Sequence, residues 1–244
     1  PCTMDMFSPL IPNRVINILE SIGDTVVYNP EQTCCGRCFY FQGEKEMSKQ
    51  LAHKLLQELY DAKEYKRATV IPSTACAAYI KNYYKTLLNN TAVPAELNSF
   101  TQNVFDLCDY LVNVKNITKL NNHFNGRVFY YKSCSARNNY KLDQEPEILL
   151  KNTEGLELLI DPECNTCCSA NGALAGANPD LSDKMLEDIV LRMYHSGAQY
   201  ITSTDIHCLQ HIDAFLSTVD LNVEVVHIAD ILNNELKAPF VIQP

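Results

Sequence analysis

The chain has 244 residues, of which 46% are hydrophobic and 20% charged. That is enough apolar material for one large domain or two ordinary ones, and no long single-sign block favours disorder. The formal charge is −9 and the pI is near 5.1; an acidic chain without a basic stripe is poorly suited to grip phosphate backbones, so no nucleic-acid partner is expected. No window reaches the roughly 18 uninterrupted apolar residues that would span a bilayer, so no transmembrane segment is expected. No basic-then-apolar leader opens the chain either, and a cytoplasmic protein is expected. The chain starts at Pro1 without an initiator Met, and a few further residues, fitting a short β-strand, are expected ahead of Cys2.

In chain order, Pro12 opens a helical segment with Val15, Ile16, Ile18, Leu19 and Ile22 apolar, and Gly23 ends it. A short strand is expected at 24–28, followed by the loop NPEQTCCG. Ser48 is placed to cap a second helix carrying Leu51, Leu55, Leu56 and Leu59. A strand at about 68–72 then runs into PSTAC. The polar, Asn-rich stretch 115–126 reads as a linker. Beyond it come a strand at 127–132, a helix near 145–152 and a strand at 156–160. A helix with Leu186, Ile189, Val190 and Met193 leads through Gly197 to a strand at 199–203.

The second half repeats the first. Displaced by 132 residues, Cys2 falls on Cys134, Gly23 on Gly155 and Cys76 on Cys208, while Cys34–Cys35 meets Cys167–Cys168 one residue out of step. Each half therefore reads C…CC…C. The half ends also correspond at a shorter offset, VFDLCDYL (104–111) with VVHIADIL (225–232). Four cysteines recurring in register indicate an internal duplication, with domains at 1–114 and 127–244 joined by 115–126. Strands alternating with helices imply an α/β fold of two tandem pseudo-symmetric repeats. Each is expected to be a small, mostly parallel sheet flanked by helices. Ligands in such folds gather beyond the carboxyl ends of strands, where the cysteines of each half would converge.

Eleven cysteines is an odd count for a disulfide framework, and adjacent cysteines bridge each other only with strain. Four convergent thiolates suit an iron–sulfur cluster or a structural zinc ion. The wide ligand spacing, with vicinal pairs that can serve two irons, favours the cluster. A thiol–disulfide site is a third reading, because Cys35–Cys38 and Cys164–Cys167 both form CxxC. These sit on opposite sides of the vicinal pairs, however, so Cys38, Cys108 and Cys164 read as free buried thiols. His207 and His211 read as loop and helix-start residues near a metal edge, His227 as a core histidine, and Asp205 as a capping carboxylate or a hard ligand. Lys132 and Arg137 could offset thiolate charge, and Tyr130 and Tyr131 could shield the site. No phosphate-binding loop, dinucleotide fingerprint, zincin motif or nucleophile elbow is present.

The segments PCTMDMF, QTCCGRC, VIPSTACAAY, YYKSCSAR, CCSANGA, STDIHCLQHI and VVHIADIL, in this order over essentially the whole chain, resemble the cysteine-rich (CCG) domain family. Similar tandem domains occur in iron–sulfur subunits of lactate-, glycolate- and glycerol-3-phosphate-oxidising systems and of heterodisulfide reductase. The resemblance implies one or two clusters of the [4Fe–4S] type, held by Cys2, Cys34, Cys35 and Cys76 and by Cys134, Cys167, Cys168 and Cys208. It also implies electron relay, with the other subunits of a lactate-oxidising iron–sulfur complex as partners. Fuller members of the family carry a further cysteine where Ser73 and Asp205 stand here. The second vicinal pair is followed by Ser169, not Gly, with a glycine delayed to Gly172, which implies a more labile second site.

Overall fold

The computed structural model describes residues 1–59, 67–89, 94–170, 174–219 and 221–233; Gly172 lies outside them. Two parallel sheets flanked by helices form the frame. The first half contributes α1 (Cys2–Phe7), α2 (Leu10–Ser21), α3 (Arg37–Phe41), α4 (Lys45–Leu59), β1 (Thr69–Ile71), α5 (Thr74–Leu87), α6 (Pro94–Gln102), β2 (Val104–Asp106) and α7 (Leu107–Asp109). The second contributes β3 (His123–Tyr130), a wide helical turn Ser135–Tyr140, α8 (Glu145–Lys151), β4 (Glu154–Leu159), α9 (Leu174–Ala177), α10 (Pro179–His195), β5 (Tyr200–Ser203), α11 (Ile206–Leu216), β6 (Glu224–His227) and α12 (Ile228–Leu232). The larger sheet runs β4-β3-β5-β6 and the smaller is the pair β1-β2, all parallel.

Most of the expected elements form within a few residues of their expected bounds. Gly23 ends the α2 segment at φ +89°, and Gly197 at φ +75° follows α10. Three expectations are corrected. Residues 24–28 form no strand. Ser48 lies inside α4, fully buried, with its hydroxyl 2.6 Å from Tyr79 Oη, and does not cap the helix. The strand expected at 127–132 begins earlier, at His123, so the Asn-rich stretch ends within β3.

The second half shows the pairing that residues 24–28 lack. In the second half, β3 lies between β4 and β5 and pairs with both. Within the offset of 132, β1 matches β5, and residues 24–28 match the end of β4. Residues 24–28 pair with no strand among the described residues. A cavity of about 330 Å³ lies between Val26, Val27 and the β1 residues Val70 and Ile71.

The halves share a core. Ile11, Val15 and Ile18 of α2 pack with Phe124 and Val128 of β3 and with Ile228 and Ile231 of α12. A buried Arg14–Asp230 ion pair crosses the same boundary. At the ends of the two sheets, Asp106 and His227 occupy equivalent positions and perform the same task. Asp106 Oδ1 accepts from Cys108 N at 2.8 Å and His227 Nδ1 from Ala229 N at 3.2 Å, each capping the helix that follows the last strand. His227 completes a capping box, its own N–H donating to Asp230 Oδ2 at 2.9 Å.

Burial drives these two caps in opposite directions of charge. It raises the Asp106 pKa to about 7 and lowers that of His227 to about 4. Between pH 6.5 and 4 the unfolded chain binds a proton at His227 that the folded chain does not. The contribution of His227 is therefore complete above pH 6.5 and is lost as pH falls toward 4. His227→Asn keeps a capping acceptor without this titration. Its urea stability should decline less over that window than that of the parent, by up to about 3 kcal/mol, as read from denaturation curves at successive pH values.

Candidate metal centre

The structure brings the eight cysteines into two groups, Cys2, Cys34, Cys35 and Cys76 in one and Cys134, Cys167, Cys168 and Cys208 in the other. In the first, Cys2 Sγ lies 3.4 Å from Cys34 Sγ. Cys34 hydrogen-bonds through sulfur to Cys35, and Cys35 to Cys76. In the second, Cys134 Sγ lies 3.5 Å from Cys167 Sγ, and Cys168 lies within interaction range of both Cys167 and Cys208. All eight are free thiols. Among the described residues, no three His, Cys, Asp or Glu side chains are arranged around a single ion; the sulfurs touch one another in a chain.

The cysteines stand at different distances from the strands. Cys134 lies four residues beyond β3, and Cys76 and Cys208 lie in the first turns of α5 and α11, five residues beyond β1 and β5. Cys167–Cys168 follows β4 after a loop. Cys2 opens α1, and Cys34–Cys35 follows the irregular segment 24–28, so these three have no strand directly before them among the described residues. Of the remaining cysteines, Cys108 and Cys164 are buried, but Cys38 is exposed, correcting its reading as a buried thiol.

Backbone geometry beside the vicinal pairs is duplicated to the ångström. Gly36 N–H donates to Cys34 Sγ at 3.4 Å, and Ser169 N–H to Cys167 Sγ at 3.4 Å. Both residues are left-handed, Gly36 at φ +84° and Ser169 at φ +58°. A Cβ at Gly36 would stand 2.7 Å from the Ser48 carbonyl oxygen, so glycine is required there. In the second half Ser182 takes the place of Ser48, and the Ser169 hydroxyl bonds to it and to the Cys168 carbonyl oxygen. Serine therefore keeps the same backbone shape as glycine, supported by its own hydrogen bonds.

Sulfur–sulfur bonding polarises each set. Donation from Cys2, then from Cys35, holds Cys34 as a thiolate with its pKa down at about 2; Cys134 and then Cys168 do the same for Cys167. The donors Cys2 and Cys134 are raised correspondingly. The sets diverge at the last member. Bonding from Cys35, aided by the nearby His207, lowers Cys76 to about 6, whereas burial and the neighbouring charge of Asp205 outweigh the bond from Cys168 and leave Cys208 at about 11. The last thiol of the first set thus ionises more readily than that of the second.

Other side chains enter from unexpected places. His207 belongs to the second half but reaches the first set: its Nε2 is 3.0 Å from Thr3 Oγ1 and its Nδ1 is 3.3 Å from Asp205 Oδ1. Asp205 is fully buried and caps α11 by accepting from His207 N. His211 Nδ1 lies 2.8 Å from the Cys168 carbonyl oxygen. Arg137 stands near Cys167 and bonds to Asn165 and the Lys132 carbonyl oxygen, while Lys132 itself turns to Asp143. Tyr131 is buried behind the second set, with its hydroxyl on the Thr166 carbonyl oxygen at 2.8 Å. Thr3, Thr74 and Thr204 carry no sequence signal of their own and emerge only from the fold.

A duplicated α/β frame with two matching groups of four thiols defines the class. The profile of the cysteine-rich domain (CCG) family matches residues 1–81 and 128–213, and the chain belongs to that family. Among named relatives, lactate utilization protein A of Macrococcus caseolyticus is 29% identical over 97% of this chain and 95% of that protein. The lactate utilization protein A of Bacillus pumilus is 26% identical over 96% of each chain, and that of Bacillus cytotoxicus 27% over 96% of each. Among solved structures, glutamate racemase of Francisella tularensis in complex with D-glutamate matches with a TM-score of 0.33 and 13% identity, over 90% of this chain and 73% of that one. Among the described residues no helix is long and apolar enough to cross a membrane.

Gly36→Ala should lower stability by about 1–3 kcal/mol, because it adds left-handed strain to a backbone clash. Ser169→Gly should change stability by less than about 1 kcal/mol, because relief of strain offsets the lost hydroxyl bond. Paired thermal melts of the two variants check this contrast.

Proposed function

We propose that this chain is an iron–sulfur electron-transfer subunit of a complex that oxidises L-lactate to pyruvate. The observation that carries the reading is the convergence of four free thiols in each half, with a backbone N–H aimed at one sulfur of each set. The donor chemistry fits the group. All eight donors are soft sulfurs, as iron–sulfur clusters require. In each set one sulfur is already held as a thiolate, and the Gly36 and Ser169 N–H groups supply the hydrogen bonds that tune such centres. Cys2, Cys34, Cys35 and Cys76 would hold one cluster, and Cys134, Cys167, Cys168 and Cys208 a second. A bound cluster supplies one-electron redox chemistry.

The chain's own residues then hold, insulate and bias these centres. Cys35, Cys76, Cys168 and Cys208 are buried, whereas Cys2, Cys34, Cys134 and Cys167 are partly exposed, giving each centre a covered side and an open side through which an electron can pass. Oxidation of the hydroxy acid belongs to partner subunits. The role in lactate utilization is supported by relatives of that name matching along nearly the whole chain. A cytoplasmic location is proposed with it.

Iron, acid-labile sulfide and the visible spectrum of anaerobically purified protein test this reading. Brown protein with broad absorption near roughly 400 nm is expected, with iron and sulfide both reduced in Cys35→Ser and Cys76→Ser. Colourless, zinc-loaded protein would overturn it. The more readily ionised last thiol of the first set predicts tighter cluster retention there. Under matched anaerobic conditions, Cys34→Ser should therefore lose more iron than Cys167→Ser, and the reverse order would mean that the second set is the stronger.

A further inference from the structure

Displacement by 132 residues provides an internal control for every side chain near the two sets. Thr3, next to Cys2, corresponds to Ser135, next to Cys134. Each carries a hydroxyl in the same place relative to the first cysteine of its set. Thr3 Oγ1 lies 3.9 Å from Cys2 Sγ and 3.0 Å from His207 Nε2. Ser135 Oγ is buried and has no hydrogen-bond partner among the described residues. The difference follows from the position of His207, whose counterpart in the first half is Ala75, a side chain with nothing to reach Ser135. The position of Asp205, which fixes both the ring and the backbone N–H of His207 at 3.3 Å, is Ser73 in the first half.

The chain thus holds one relay, Asp205–His207–Thr3–Cys2, that starts in the second half and ends on a sulfur of the first set. When Cys2 is a metal-bound thiolate it can only accept, so the Thr3 hydroxyl donates to it. The oxygen of Thr3 is then left facing the imidazole, which fixes its rotor. Hydrogen bonds to ligand sulfurs stabilise the more negative, reduced form of a cluster and so raise its reduction potential.

We propose that His207 is a positioning residue, reaching across from the second half to orient Thr3 toward Cys2, and that this relay sets the first centre at a higher reduction potential than the second. Electrons arriving at the second centre would then pass on to the first. The inference rests on the cluster-binding reading above and adds to it a direction of transfer.

The test is an anaerobic redox titration followed by electron paramagnetic resonance. Each signal is assigned to its centre by its loss in Cys34→Ser or Cys167→Ser. In the parent, the first centre should be reduced at the higher potential. Thr3→Val should lower its midpoint and leave the second centre unmoved, His207→Gln should lower it likewise, Thr3→Ser should restore it, and Ser135→Ala should change neither. In metal-free protein, the side-chain nitrogen NMR signal of His207 Nε2 should shift in Thr3→Val and return in Thr3→Ser, reporting the contact independently of iron. Both centres loading, with midpoints that ignore Thr3→Val and His207→Gln, would overturn the relay alone. Absence of iron from every preparation would overturn the cluster reading and the relay with it.

Discussion

The two cysteine sets stand where they do because the turns after β1 and β5 are tied to each other. Thr74 N–H donates to the Thr204 carbonyl oxygen at 3.1 Å, and the two hydroxyls are 2.5 Å apart. Thr74 also donates to Asp106 Oδ2 at 2.8 Å, which links the junction to the end of β2. Thr74, Thr204 and Asp106 are all buried, where an unmade hydrogen bond would cost about 1–3 kcal/mol. Cys76 lies two residues beyond Thr74 and Cys208 four beyond Thr204, so this contact fixes the last thiol of each set and brings the second half's His207 within reach of the first.

Duplication supplied one backbone solution twice, and the side chains have since diverged around it. The left-handed residue after each vicinal pair, with its N–H on the first sulfur, is common to both halves whether it is Gly36 or Ser169. Helix capping at the end of each last strand is common to both, whether by Asp106 or His227. What differs is charge. Asp205 faces Cys208 and opposes its ionisation, while His207 faces Cys76 and favours it. Two adjacent turns thus give two sets of identical donors different electrostatic surroundings, a divergence that requires no change in the frame.

The sequence was informative where one residue type at a fixed offset carries the meaning. The recurring cysteines, the helices α2 and α10 and the strands β1, β4 and β5 were all legible, because cysteine register, helical periodicity and β-branched runs are local signals. Residues 24–28 were misread because an apolar run alone does not make a strand, which exists only with a paired neighbour, and none pairs with them among the described residues. Ser48 was misread because a capping residue and a buried helical hydroxyl look alike until Tyr79 is seen beside it. The serine after the second vicinal pair suggested a more labile site, but its backbone matches that of Gly36, and Ser182, thirteen residues on, supports it by a hydrogen bond. Thr3 could not be singled out at all, since its significance depends on His207, 204 residues away.

That distance also bears on whether the halves act as separate modules. The side chains of α2 sit on β3 and α12, the Arg14–Asp230 pair is closed off from solvent, and Tyr140 of the second half donates to Asp109 and accepts from Asp106 N–H. Removing either partner of that ion pair would leave the other charge buried and uncompensated, at a cost of several kcal/mol. The first sheet packs one face into a core of its own, with Ile71 and Val104 against α4, α5 and α6, while Val70 and Phe105 lie against the shared cluster. The boundary that the cysteine register draws between the halves is therefore a boundary of ancestry, whereas the packing across it joins them, and that joining holds His207 against a site to which it does not belong by descent.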